Sequence, residues 1–154
     1  MVENIECKQL CQTDLSTVEQ IHALFPHWKR ASVQRKIKDT VRHRDKRFVA
    51  LQDGRIVAHV RVVFGRGLHK HRVEVTSLVV EARKRRHHIA TELMKFILKE
   101  LPKERKLVLL AVDSKNDAAI ELYKKLGFEQ YGLLKKAAFL DGKLVDNCLM
   151  RKER

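Results

Sequence analysis

The sequence predicts a layered α/β domain, a mixed sheet with helices on its faces. Three observations carry this. Runs rich in β-branched residues alternate with runs whose apolar residues recur every three to four positions. Two Asp-Gly pairs, Asp53-Gly54 and Asp141-Gly142, sit between strand-like runs and mark hairpins. The two prolines and six glycines fall at segment ends. The 154 residues fit one domain spanning 1–154, with no linker, internal repeat or low-complexity stretch.

Asn4 to Gln9 reads as a short first strand. Asp14 or Ser16 can cap a helix to Leu24, with Val18, Ile21, His22 and Phe25 on one face and Pro26 as its stop. Ser32 can cap a second helix to His43, carrying Val33, Ile37 and Val41 at helical spacing, while its other face is dense with Arg and Lys. Arg47 to Gln52 and Arg55 to Phe64 form a hairpin across Asp53-Gly54. Gly65-Arg66-Gly67 reads as a flexible break. Arg72 to Val80 is the next strand, and a helix from Arg86 to Glu100 puts Ile89, Leu93, Phe96 and Ile97 on the core side. Lys106 to Val112 is apolar enough to be buried on both faces. Ser114 can cap a helix to Leu126 that Gly127 ends. Phe128 to Leu140 and Lys143 to Met150 close the chain as a hairpin.

Lys plus Arg is 33 and Asp plus Glu 19, a net charge of +14. That charge favours anionic partners without naming one: a nucleic acid, a membrane surface or a polyanionic cofactor, or none if it only solubilises the surface. Cys7, Cys11 and Cys148 are odd in number and lack CxxC spacing, which argues against a disulfide framework and against a zinc site. No metal ligand set is expected. The first ten residues are mixed and polar, unlike a signal peptide, and no apolar run approaches the roughly 20 residues that span a bilayer. A soluble, cytoplasmic protein with no membrane partner is the expectation, in a reducing compartment.

Two stretches can carry chemistry. Arg83-Lys84-Arg85-Arg86-His87-His88 precedes a predicted helix, whose first N–H groups have no internal acceptor. Four cations there suit a pyrophosphate; a solvated basic turn and a nucleic-acid patch read the same residues differently. The second stretch is Asn116-Asp117-Ala118-Ala119-Ile120-Glu121-Leu122-Tyr123-Lys124-Lys125-Leu126-Gly127-Phe128. Ala119, Leu122, Tyr123 and Leu126 share a face, which by periodicity is simply a buried one.

Together these stretches resemble the GNAT superfamily of N-acetyltransferases, and the element order does so along the whole chain. The superfamily's acyl-CoA loop, Arg/Gln-x-x-Gly-x-Gly/Ala, is similar to Arg85-Arg86-His87-His88-Ile89-Ala90, with His88 in place of glycine. Its later helix, Asn-x-x-Ala-x-x-Leu-Tyr-x-x-x-Gly-Phe, matches at Asn116, Ala119, Leu122, Tyr123, Gly127 and Phe128. Residues 133–146 also resemble the last hairpin of bacterial acetyltransferases that modify amino acids and ribosomal proteins.

The resemblance implies a mostly antiparallel central sheet and direct attack of a primary amine on the thioester of acetyl-CoA. It implies cofactor contacts from Leu78, Val79 and Val80, whose backbone N–H groups pair with the pantetheine and polarise the carbonyl. Arg85, Arg86, His87, His88, Ile89 and Ala90 would hold the pyrophosphate, and Asn116 would contact the pantetheine arm or order the next helix. A histidine at position 88 can present its N–H if its φ/ψ is ordinary and its ring points away; otherwise it narrows the site. Tyr123 takes the position of the acid that protonates the leaving thiolate. Glu74 takes that of a base acting through water, or is a surface carboxylate; His69 and His71 are alternatives on a basic loop.

The resemblance also implies an acceptor side drawn from the first helices and the last hairpin, here His27, Trp28, Lys29, Arg30, the basic second helix and Lys135-Lys136, a lining that favours an acceptor that is acidic or RNA-associated. Trp28 either walls that pocket or fills the core. The competing function is a nucleic-acid- or ribosome-binding module on a non-catalytic version of the fold. A monomer and a homodimer both remain open.

Overall fold

A computed structural model describes residues 4–11, 15–42 and 45–154, with residues 39–42 by backbone only. Among these, the chain runs β1 (Ile5–Gln9), α1 (Leu15–Leu24), α2 (Arg30–Arg42), β2 (Lys46–Gln52), β3 (Arg55–Phe64), β4 (Arg72–Val80), α3 (Ile89–Glu100), β5 (Leu107–Asp113), α4 (Asp117–Lys125), β6 (Glu129–Leu140) and β7 (Lys143–Glu153). Hydrogen-bonded neighbours follow the order β1-β2-β3-β4-β5-β7-β6. The β4–β5 pair is parallel, and β1–β2, β2–β3, β5–β7 and β6–β7 are antiparallel. The mixed, mostly antiparallel sheet flanked by helices is therefore present. Asp14 and His43 lie outside the described residues, as does the side chain of Val41.

The chain forms two compact units, Met1–Phe64 with Thr76–Leu101, and Gly65–Val75 with Pro102–Arg154. In the first unit, Asp53 and Gly54 both hold positive φ, 51° and 74°, the twist a two-residue hairpin between β2 and β3 needs. One face of that hairpin packs Val49, Leu51 and Ile56 on Val18, Ile21 and Leu24 of α1 and Val33 and Ile37 of α2. Ser16 lies inside α1, where it accepts a hydrogen bond from Gln20, so it is not the cap. α3 buries Ile89, Leu93, Met94 and Ile97, and its Phe96 meets Phe48 edge to face at 6.2 Å. Each such side chain contributes about 1.5–3 kcal/mol on burial.

In the second unit β5 is not buried on both faces. Val108, Leu110 and Val112 are buried while Ala111 is exposed, so the apolar run serves a one-sided strand. The Gly65-Arg66-Gly67 break is ordered: Gly65 N–H donates to the Arg72 carbonyl at 3.0 Å and its own carbonyl accepts from Arg105 at 3.1 Å. A Cβ at position 65 would collide with the His69 carbonyl and lie 2.9 Å from that of Arg72, so only glycine fits. The last hairpin turns at Asp141-Gly142, φ 47° and 77°. β7 continues three residues past Met150 because it pairs with β5 as far as Glu153.

Candidate functional site

In the first unit, β4 is distorted before it ends. Ser77 has φ 55°, a left-handed backbone inside a strand. Leu78, Val79 and Val80 follow, each half-buried, with Val79 packed against the α1–α2 core. The Glu81 N–H donates to the Val57 carbonyl at 2.8 Å and fixes the strand end. A short turn over Ala82–Lys84 leads to the basic loop, where Arg85 Nε donates to the Val80 carbonyl at 3.4 Å.

The predicted helix start at Arg86 is corrected to Ile89. Arg86 (φ 66°) and His88 (φ 58°, ψ 9°) are both left-handed, and a helix cannot propagate through such residues. His88 thus keeps the backbone that glycine would adopt at this position, rather than an ordinary one. It is the N-cap of α3 and makes no side-chain cap hydrogen bond, so the amides of the first turn stay free of capping. Arg83, Arg85, Arg86, His87 and His88 are exposed, whereas Ile89 is 2% exposed and can offer only its backbone. Left-handed residues alternate ahead of a twelve-residue helix, among exposed cations, an arrangement whose chemistry suits an anion. The donor set fits a coenzyme diphosphate.

The other predicted residues belong to the second unit. Asn116, not Ser114, caps α4: its Oδ1 accepts from the Ala119 N–H at 3.1 Å. Ser114 instead donates its N–H to the Asp146 carbonyl at 2.8 Å. Tyr123 is the one residue of its predicted face that is fully buried, 7% exposed, and its ring meets Phe128 edge to face at 5.8 Å. Burial pushes its phenol up to about 12, so Oη keeps its proton at any physiological pH. Glu74 is exposed on β4, and its side chain makes no hydrogen bond or ion pair with the described residues. His69 and His71 are exposed on the loop; His71 contributes its carbonyl, which accepts from Lys106 N–H at 2.6 Å.

Two features of the α1–α2 side had no strong sequence signal. Trp28 is 36% exposed and stacks on Phe25 at 4.6 Å, with the Lys36 ammonium 3.8 Å from the centre of its ring, so it does not fill the core. Arg47 and His59 are buried together, Arg47 Nη1 donating to His59 Nε2 at 2.8 Å. Their only trace in the sequence is a polar residue at the inward phase of two apolar strands. Among the described residues there is no cluster of three metal-ligating side chains, and no helix is long and apolar enough to cross a membrane.

The mixed sheet, with a basic loop between its fourth strand and α3, is the fold of an acetyltransferase of the GNAT type. The acetyltransferase (GNAT) family model matches residues 14–128, and the chain belongs to that family. Members use acetyl-CoA as acetyl donor, and this chain is an N-acetyltransferase. It is 28% identical to an L-amino acid N-acetyltransferase of Escherichia coli K12 over 150 residues, 90% of this chain and 91% of that protein. The fold matches the crystal structure of a ribosomal-protein-alanine N-acetyltransferase from Brucella melitensis with a TM-score of 0.83, at 18% identity over 97% of this chain and 99% of that one. It also matches yncA of Salmonella typhimurium, solved with its cofactor acetyl-CoA, with a TM-score of 0.81, at 14% identity over 97% and 94% of the two chains.

Proposed function

We propose that this enzyme acetylates the primary amine of a small acceptor that also carries an anionic group, an α-amino acid being the leading class. The observation that carries the donor half is the left-handed pair Arg86 and His88 ahead of α3. For the acceptor half, the support is the exposed set Trp28, Lys29, Arg30 and Lys36, together with the name of the Escherichia coli relative.

Bound acetyl-CoA supplies an activated acyl carbon and a thiolate leaving group. The amides of residues 86–90 would hold the diphosphate, with Arg83, Arg85 and Arg86 as supporting cations. The backbone of Leu78, Val79 and Val80 binds the pantetheine arm and presents an N–H to the carbonyl oxygen. Asn116 orders α4 and with it Tyr123. Tyr123 holds a proton at Oη and offers it to the departing sulfur. With the phenol near 12 and a thiol near 8.5, full transfer is uphill by about 5 kcal/mol. Its contribution is therefore a hydrogen bond to developing charge. Glu74, exposed and unpaired among the described residues, takes the amine's proton through water.

The test is calorimetric titration with acetyl-CoA at low and moderate salt, followed by a thiol-release screen of amino acids and decarboxylated amines. Micromolar binding that survives moderate salt, and turnover of amino acids over decarboxylated amines, is expected. Absence of acetyl-CoA binding overturns the donor half; equal turnover of the decarboxylated amines overturns the anionic acceptor.

A further inference from the structure

The sheet ends at β1, and among the described residues no strand pairs with its outer edge. The register tells which backbone groups that edge presents. β1 lies antiparallel to β2 without a register shift, from Ile5 opposite Gln52 to Gln9 opposite Phe48. One residue further on, the Leu10 N–H donates to the Arg47 carbonyl at 2.8 Å. Bonded pairs alternate along an antiparallel ladder. Lys8 and Glu6 therefore bond to β2 as Leu10 does, and the N–H and C=O groups of Ile5, Cys7 and Gln9 point to the free edge. The Gln9 carbonyl meets the Cys11 thiol at 3.7 Å, a weak donor that leaves a lone pair open.

An edge of this kind is a template for another strand. Its side chains select which strand. Glu6 and Lys8 are exposed and flank Cys7. A second β1 laid antiparallel, with the two-fold axis at Cys7, sets Glu6 of each copy opposite Lys8 of the other. Cys7 then faces Cys7 and Ile5 faces Gln9 as bonded pairs, so each outward N–H and C=O of these residues gains a partner. Glu6 and Lys8 fall at the non-bonded positions, where side chains approach closest. An axis at Glu6 or at Lys8 would instead oppose like charges. On the other face of the strand, Ile5 and Cys7 line an open groove with Glu92, Phe96 and Lys99 of α3. The strand at the far end of the sheet order, β6, is a poorer template. It is broken by register shifts at Gln130/Gly132 and Leu134/Ala138 and by Lys136 at φ 53°, and such bulges blunt an edge.

We propose that the β1 edge is an interface with a second copy of this chain: two β1 strands pair antiparallel about Cys7 and join the sheets, and the Glu6–Lys8 pairs set the register.

The full chain is tested by sedimentation equilibrium at tens of micromolar, in about 0.15 M salt to screen its net charge of +14. A dimer is expected. Lys8→Glu and Glu6→Lys each turn both attractive pairs into repulsive ones and should raise the dimer Kd at least about tenfold. Both side chains are exposed, so neither change disturbs the core. Combining Glu6→Lys with Lys8→Glu exchanges the charges and should return Kd to within about threefold of wild type. Cross-linking reads the register. In a Cys11→Ser background Cys7 is the accessible thiol, because Cys148 is buried. A bonded pair holds its Cα atoms about 5.5 Å apart, a separation that suits a disulfide. Copper–phenanthroline accepts the two electrons as the paired thiols lose their protons, and should give a covalent dimer on a non-reducing gel. Adding Lys8→Glu to that background should suppress it. A monomeric wild type overturns the proposal. So does a dimer indifferent to the single reversals, one that the charge exchange fails to restore, or one that Cys7 does not cross-link.

Discussion

Position 88 offers the sharpest test of how the donor loop is built. His88 holds φ 58° and ψ 9°, a conformation in which Cβ crowds the following carbonyl. That costs an ordinary residue about 1–2 kcal/mol. Glycine removes the cost but brings a more flexible unfolded chain, which offsets about 0.4–1 kcal/mol. No cap is lost, because the imidazole makes no cap hydrogen bond. His88→Gly should therefore stabilise the protein by about 0.5–1 kcal/mol, a rise in Tm of about 1–4 °C for a chain of this size. His88→Ala keeps the Cβ and the strain while removing the ring, so it should melt below the Gly variant. The backbone amides keep their direction in both. A tightening of acetyl-CoA binding shared by both variants would locate any obstruction in the ring. Scanning fluorimetry and calorimetry read the two quantities separately. If Gly melts lower than wild type, or Ala melts level with Gly, the left-handed backbone is not what position 88 contributes.

Three further outcomes are expected. Asn116→Ala removes the cap of α4 and should cost about 1 kcal/mol, whereas Asn116→Asp keeps an acceptor for Ala119 and should cost far less; equal losses in thermal melts would refute the capping role. Tyr123→Phe should lower kcat with the acetyl-CoA Kd unchanged. It should also alter alkaline stability. A phenol raised from 10 to about 12 on folding stabilises fully below pH 10, and this is lost as pH rises through 12. The wild type should thus lose about 2–3 kcal/mol more than the Phe variant over that window, and matching denaturation curves would sink the burial argument. Glu74→Gln should reduce kcat and leave acetyl-CoA affinity intact; unchanged turnover would make Glu74 an ordinary exposed carboxylate.

Much of the fold was legible because its signals are local. The bounds of β3 and β4 coincide with their β-branched runs, and both Asp-Gly pairs adopt the positive φ that a tight hairpin demands. The apolar spacing of α1, α2 and α3 marks the side chains that are buried, Val18, Ile21, Val33, Ile37, Leu93 and Ile97 among them. Where the sequence misled, a competing local choice won. Ser114 and Asn116 are both good caps, and Asp146 takes the backbone of the first. Leu107 to Val112 is apolar throughout, but composition does not say how many faces a strand has covered. Gly65 reads as freedom, though here it marks a close approach to the carbonyls of His69 and Arg72.

By itself the sequence determined the order of elements, the basic loop and the tyrosine-bearing helix, since each follows from spacing within one segment. Tertiary structure alone decided three other features. It keeps His88 left-handed although it is not glycine. It sets the Tyr123 phenol near 12 through burial. It brings Arg47, twelve residues before His59 in the chain, against that ring. These depend on desolvation and on contacts between separate strands, quantities that exist only once the chain has closed on itself.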